Sequence, residues 1–221
     1  MKLASGCAPI DELLGGGVEG GALTLVIGEA GTGKTNFCLQ LACRALQEGA
    51  GKVAYVDAEG VSLERLSQIA GKNAQKIMKN ILFFSPRSLS EQERMIKSLG
   101  KISSPRLIVV DSLNLYYRLS LADGTLNGAS GKSLTNMLGE LLRLTRNEDV
   151  PIVVTGQVYS AEEGPLAFGG KVMEHIVKTI IRFERLGPGA RRATLLKHRS
   201  LPEARTAEFY LTEQGLAGTV T

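Results

Sequence analysis

Gly28-Glu29-Ala30-Gly31-Thr32-Gly33-Lys34-Thr35 follows the apolar run Leu23-Thr24-Leu25-Val26-Ile27 and opens a stretch of helical periodicity, Thr35–Leu46, with Phe37, Leu41 and Ala45 one turn apart. Strand, glycine-rich turn and helix in that order fit the pattern G-x-x-x-x-G-K-[ST] of a phosphate-binding loop. Glycines let backbone N–H groups wrap a phosphate, and the following helix aims the positive end of its dipole at the same charge. Gly28, Glu29, Ala30, Gly31, Thr32, Gly33, Lys34 and Thr35, with Asn36 beside them, are therefore expected to hold a nucleotide such as ATP. In such a loop Lys34 reaches the β- and γ-phosphates, and the Thr35 hydroxyl ligates Mg²⁺.

The rhythm outward from this loop repeats it. Val53–Asp57 reads as a strand, Leu63–Ile69 as a helix that Ser62 can cap, and Ile81–Phe84 as a further strand. Ser90 and Glu93 have the spacing of a capping box for a helix through Leu99. Leu107–Val110 is a strongly apolar strand ended by Asp111, Ser133–Arg146 an amphipathic helix, and Ile152–Thr155 another strand. This β-α-β-α order predicts an α/β fold with a mostly parallel central sheet flanked by helices. Beyond it, Ile180–Leu186 and Ala193–Lys197 flank the hairpin signal Gly187-Pro188-Gly189, and Ala207–Leu211 reads as a last strand. The C-terminal third is thus expected to add antiparallel strands to one sheet edge. With no linker or repeat in view, residues 1–221 read as a single domain.

Composition narrows the class. The chain has 221 residues, 43% hydrophobic and 22% charged, with net charge +4. Those are the proportions of an ordinary globular protein long enough for a sizeable core. Cys7, Cys38 and Cys43 are odd in number, lack CxxC spacing and have no histidine near them. They read as buried, reduced thiols rather than a metal site or a disulfide framework. No apolar stretch is long enough for a signal h-region or a membrane span, so a cytoplasmic protein is expected.

Polar residues at strand ends carry the chemistry. Asp111, at the tip of a buried strand, suits a carboxylate that works with Thr35 on Mg²⁺, and Ser112 beside it could hold a water or the metal. Glu59 in Asp57-Ala58-Glu59-Gly60 is either a general base that orients an attacking water or a solvated loop acid. Gln157, after Ile152–Thr155, either senses the γ-phosphate or simply ends its strand. Lys171–Arg205 carries nine basic and three acidic residues, so the positive charge is concentrated there. That balance suits nucleic-acid phosphates, or a solvated sheet face. Arg118, Lys132 and Lys171 are the individual candidates for DNA contact. The first two fall in what reads as a polar, flexible loop with Gly124, Gly128 and Gly131. Tyr159–Gly169 forms a second loop, with Tyr159 and Phe168 as its stacking aromatics.

Together these residues resemble the RecA-type recombinase superfamily, most closely the archaeal RadB proteins. The likeness spans essentially the whole chain. Ser5-Gly6 with Ile10-Asp11-Glu12-Leu13-Leu14-Gly15-Gly16-Gly17 looks like the entry to the recombinase core. Tyr55–Gly60 looks like the strand bearing the catalytic glutamate, here Glu59. Asp111-Ser112 with Leu115-Tyr116-Tyr117-Arg118 looks like the strand that exits into the first DNA loop. Gly156-Gln157-Val158 resembles the γ-phosphate-sensing motif, with Gly156 where asparagine is usual. Gly169–His175 and Leu201-Pro202-Glu203-Ala204 complete the likeness. Arg65 matches the position whose guanidinium stacks on adenine, a role that suits a planar cation.

The resemblance implies a RecA-like core that binds ATP and DNA, hydrolyses ATP feebly and serves DNA repair and recombination without exchanging strands. The N-terminal helical domain and polymerisation linker of the strand exchangers find no counterpart in the sequence, and the second loop, Tyr159–Phe168, is short. DNA, the main RadA recombinase, a Holliday-junction resolvase and further copies of the chain are the partners implied. Lys197 and Arg199, in Lys197-His198-Arg199, act either as fingers on a neighbouring subunit's γ-phosphate or on DNA directly. Two other readings stand beside this one. One is a KaiC-like signalling ATPase, which shares Gly15-Gly16-Gly17 and the phosphate loop. The other is a non-hydrolysing mediator that ATP switches, for which Ile10, Leu13 and Leu14 could form an apolar docking face, although they read first as core residues.

Overall fold

In the computed structural model residues 1–124, 128–158 and 175–219 are described. The elements run β1 (Lys2–Leu3), α1 (Ala8–Leu13), β2 (Val18–Glu19), β3 (Leu23–Gly28), α2 (Lys34–Glu48), β4 (Lys52–Asp57), α3 (Leu63–Ala70), α4 (Ala74–Met78), β5 (Ile81–Phe84), α5 (Leu89–Ser98) and β6 (Pro105–Asp111). They continue with α6 (Leu115–Ala122), α7 (Gly128–Glu148), β7 (Ile152–Gln157), β8 (Thr179–Arg185), β9 (Ala190–Lys197), β10 (Thr206–Thr212) and β11 (Gly215–Ala217). β1 and β2 make a small ribbon. The main sheet has nine strands among the described residues, in the order β11-β10-β9-β8-β3-β7-β6-β4-β5.

From β8 to β5 neighbouring strands are parallel. β8 itself pairs parallel with β3, so the antiparallel part begins one strand later than the hairpin signal suggests, at β9. Every residue of β3 is buried, as a central parallel strand covered on both faces requires. Alternation then sorts side chains into two cores. Val26, Val53, Val109 and Val153 face α2, where Phe37, Leu41 and Ala45 form the buried stripe. Leu25, Ala54, Ile108 and Val154 face α5 and α7 through Ile96, Met137, Leu138 and Leu141. Burying one such side chain contributes roughly 1.5–3 kcal/mol, so the sheet position of each strand is strongly specified.

Several local expectations are corrected. The cap of α5 is Ser88, whose hydroxyl accepts from Glu91 N at 3.2 Å, while the Glu91 carboxylate accepts from Arg87 N. Ser88 is extended (φ −155°), the conformation an N-cap needs, and Ser90 already lies inside the helix. Glu93 instead ties α5 to α7 through Asn136 and Ser133. The stretch read as a flexible loop holds two helices, α6 and the start of α7, with Arg118 on the first and Lys132 on the second. From Leu115 to Ala122 there is neither glycine nor proline, so helical hydrogen bonding goes uninterrupted. Ile10, Leu13 and Leu14 are core residues, which removes the proposed apolar docking face. Cys7, Cys38 and Cys43 are buried free thiols. Among the described residues no helix is long and apolar enough to cross a membrane.

Candidate nucleotide-binding site

The phosphate loop joins β3 to α2 at the C-terminal edge of the parallel strands, where ligands collect in open α/β sheets. Gly31 (φ +74°) and Gly33 (φ +102°) take left-handed backbone that side chains disfavour. Gly33 caps α2 without a side chain, so the first-turn N–H groups of the helix stay available to an anion. The Thr32 hydroxyl donates to Glu29 O at 2.9 Å and pins the loop internally. Lys34 lies almost buried within it and donates to Gly28 O and Glu29 O, both at 2.8 Å. Burial lowers its pKa, and the carboxylates of Glu59 and Asp111 oppose that shift. Ala30, Gly31, Gly33, Lys34, Thr35 and Asn36 line a cleft of about 220 Å³ that Glu59 and Gln157 close from the opposite side. Leu211 of β10 also faces it and packs over Gly33, a contact nothing in the local sequence announces.

Asp111 ends β6 beneath this cleft and is 1% exposed. It accepts hydrogen bonds from Tyr55 Oη (2.9 Å) and from Thr155 Oγ1, and the Thr35 side chain is a third donor group beside it. Burial raises its pKa, and those three donors act against the rise. Thr35 and Asp111 thus present hard oxygens to one another, the donor type magnesium takes. The residues fit that ion: Thr35 would ligate it and Asp111 would hold its water.

Glu59 follows β4, and its carboxylate is fixed from two other strand ends. Ser112 Oγ donates to Oε1 at 2.6 Å, and Gln157 Nε2 lies 3.0 Å from both carboxylate oxygens. The Ser112 hydroxyl is thus turned to Glu59. Gln157 Oε1 accepts from Arg118 Nη1 at 3.4 Å. The arrangement therefore runs from helix α6 through Gln157 to Glu59. Asn114 braces the Gln157 backbone at both N and O, and buried Gln92 of α5 donates to Ser112 O at 2.9 Å. Neither Asn114 nor Gln92 stood out in the sequence. Asn114 lies just past Asp111-Ser112, where it could have been suspected; Gln92 carries no signal.

Arg65 of α3 sits at the other end of the cleft. Its Nε donates to Asn36 Oδ1 at 2.8 Å, and its Nη atoms donate to Thr212 O and Glu213 O at 2.6 Å. All these bonds lie in the guanidinium plane, which leaves the flat face for packing.

The basic C-terminal segment does not form one face. Antiparallel register pairs Arg185 with Arg191 and Ile180 with Lys197, so the two ends of the hairpin lie at opposite ends of the sheet. Arg185 and Arg191 sit against the phosphate loop. Lys197 and Arg199 lie at the far end, away from this chain's own loop, where Arg199 Nε pairs with Glu19 at 2.7 Å. Arg182 and Arg192 pair with Glu184 and Glu208. Lys132 is exposed on α7. Lys171, Tyr159, Phe168 and the remainder of the second loop fall outside the described residues.

The comparisons agree with this geometry. The model of the Rad51 family matches residues 1–219. The DNA repair and recombination protein RadB of Methanococcoides burtonii is 45% identical over 219 residues, 97% of each chain. That of Methanoculleus marisnigri is 37% identical over 222 residues, again 97% of each. A crystal structure of the RadB recombinase, 35% identical, superposes with a TM-score of 0.85 and covers 99% of this chain and 100% of its own. Full-length likeness at this level sets aside the KaiC-like reading. The chain belongs to the Rad51 family and, within it, to the RadB group of DNA repair and recombination proteins.

Proposed function

We propose that this protein is a recombination accessory factor that binds ATP with Mg²⁺, binds DNA and hydrolyses ATP slowly without exchanging strands. One observation carries the reading: Lys34, Thr35, Glu59 and Gln157, from three separate strand ends, face a single cleft at the phosphate loop. Loop amides, the α2 N-terminus and Lys34 would hold the phosphates, and Arg65 would pack on the base. Glu59 would take the proton of an attacking water, held in place by Ser112 and Gln157. Magnesium would neutralise charge developing on the phosphates.

Slow turnover has a physical basis in where the cations lie. Lys197 and Arg199 stand at the sheet end remote from this chain's loop, so they act on another molecule, either DNA or a second copy's nucleotide. Without a finger supplied across an interface, hydrolysis by phosphate-loop enzymes is on the order of 10⁻³ s⁻¹. Arg118, Lys132 and Lys171 are proposed to contact DNA. RadA and a Holliday-junction resolvase are proposed partners, on one ATPase core spanning the chain.

The test measures turnover and affinity for a single-stranded oligonucleotide together, with and without ATP, across a salt series. The reading expects log affinity to fall steeply with log salt and turnover to stay slow. Absence of DNA binding at low salt, with ATP still bound, would overturn the accessory role and leave an ATP-switched mediator.

A further inference from the structure

The β8–β9 hairpin brings two guanidinium groups onto the phosphate loop. Arg185 and Arg191 are direct cross-strand partners. Arg185 Nη2 donates to Ala30 O at 2.7 Å; Arg191 donates to Gly31 O through Nη2 at 3.0 Å and Nε at 3.3 Å. The remaining Arg191 bonds go to the Gly187 and Ala190 carbonyls. Neither arginine has a carboxylate partner among the described residues. Like charges placed directly opposite one another in a sheet are destabilising. Burial and the neighbouring Arg185 together lower the Arg191 pKa. Two cations thus lie side by side, and among the described residues carbonyl oxygens receive their hydrogens.

What those carbonyls do explains the arrangement. A trans peptide is planar, and its C=O and N–H point in opposite directions. Pinning Ala30 O on one side of the loop therefore turns Gly31 N–H to the other, and pinning Gly31 O does the same for Thr32 N–H. The contact at Gly31 is close: a Cβ there would lie 2.1 Å from Arg185 Nη2, so the guanidinium uses the room its missing side chain leaves. Ala30 and Gly31 line the phosphate cleft itself.

We propose that Arg185 and Arg191 are positioning residues of the nucleotide site: they brace the phosphate loop from outside, turn its amides inward and supply the positive charge that a polyphosphate neutralises. This rests on the reading of the cleft as a nucleotide site. It predicts that the pair serves the phosphates and not the base, and that part of its action is long-range and salt-sensitive.

The experiment compares the parent chain with the double variant Arg185→Gln, Arg191→Gln in binding of fluorescent N-methylanthraniloyl-ADP over a salt series, with adenosine as competitor. The double variant is expected to bind the diphosphate about tenfold more weakly, with a shallower salt dependence and unchanged adenosine affinity. Arg185→Lys with Arg191→Lys should recover the salt dependence but not the full affinity, since lysine restores charge without the fork. Diphosphate affinity within about twofold of the parent in the double glutamine variant would overturn the proposal. So would an equal loss of adenosine affinity. Should that variant fail to fold on a thermal melt, Arg185→Gln alone, at an exposed position, decides by the same two readouts. A parent that binds no diphosphate would sink the nucleotide reading and this inference with it, which separates the two failures.

Discussion

The two ends of the parallel sheet both gather charge, but they do so differently. At the C-terminal end the charges are buried together: Lys34 is 6% exposed, Asp111 is 1% exposed, and the Asp111 and Glu59 carboxylates oppose the burial that lowers the Lys34 pKa. At the opposite end Arg199 is half exposed and, among the described residues, pairs with Glu19, with His198 beside the same carboxylate. On the proposed reading the first end encloses a small anion, and the second offers cations to something large. Both ends draw on the same basic segment, because the β8–β9 hairpin runs the length of the sheet. A count of charge along the sequence therefore does not define a surface; strand register does.

The contrast can be broken by substitution. Lys34→Ala should weaken ATP binding by about a hundredfold, since a charge-assisted hydrogen bond is lost inside a buried loop. Calorimetric titration reads this directly, and retained affinity would show that Lys34 does not hold the phosphates. Glu59→Gln should lower turnover about 10²–10⁴-fold while ATP affinity stays nearly constant. A matching loss of affinity would make Glu59 a binding group and not a base. At the other end, Lys197→Ala should reduce the salt slope of DNA binding by roughly one and leave turnover alone. A turnover loss on the order of 10³ would instead assign Lys197 to a neighbouring copy's nucleotide.

The smallest effect is on stability against pH, and its sign differs between the ends. Burial raises the Asp111 pKa above its unfolded value, so the folded chain binds the extra proton and stability falls as pH rises through that window. Burial lowers the His198 pKa, with Lys2 and Arg199 reinforcing the shift and Glu19 opposing it. There the unfolded chain binds the extra proton, so stability is lost as pH falls through about 6.5. Thermal melts from pH 4 to 7.5 should show Asp111→Asn removing the first trend and His198→Gln the second. Unchanged profiles in both variants would show that neither buried group couples to folding.

Much of the C-terminal end was legible in advance, because its chemistry is local. The phosphate loop is contiguous, and an apolar run ending in a polar residue marks a strand tip whatever the topology. Glu59 and Gln157 could be picked out that way, but they stand 98 positions apart, and only the strand order brings their side chains together. Arg185 and Arg191 were visible as charge and not as a pair, since hairpin register decides which residues face each other. The α5 cap shows a smaller ambiguity. Ser88-x-x-Glu91 and Ser90-x-x-Glu93 both satisfy the capping pattern, and the extended backbone at Ser88 chooses between them. Helix α6 reads as loop in the sequence because Gly124, Gly128 and Gly131 follow it, while the glycine-free run before them forms a helix.

The Gln157 side chain sets a limit on how the site can work. Chemistry fixes its orientation: a carboxylate must meet the amide nitrogen, and a guanidinium must meet the amide oxygen. That nitrogen has two hydrogens and no more, and it lies 3.0 Å from both carboxylate oxygens of Glu59. Any phosphate oxygen that takes the hydrogen directed at Glu59 leaves the glutamate with one donor fewer. On the proposed reading, recognition of the nucleotide and positioning of the base draw on the same amide, a changeover contact in which closing one circuit opens the other.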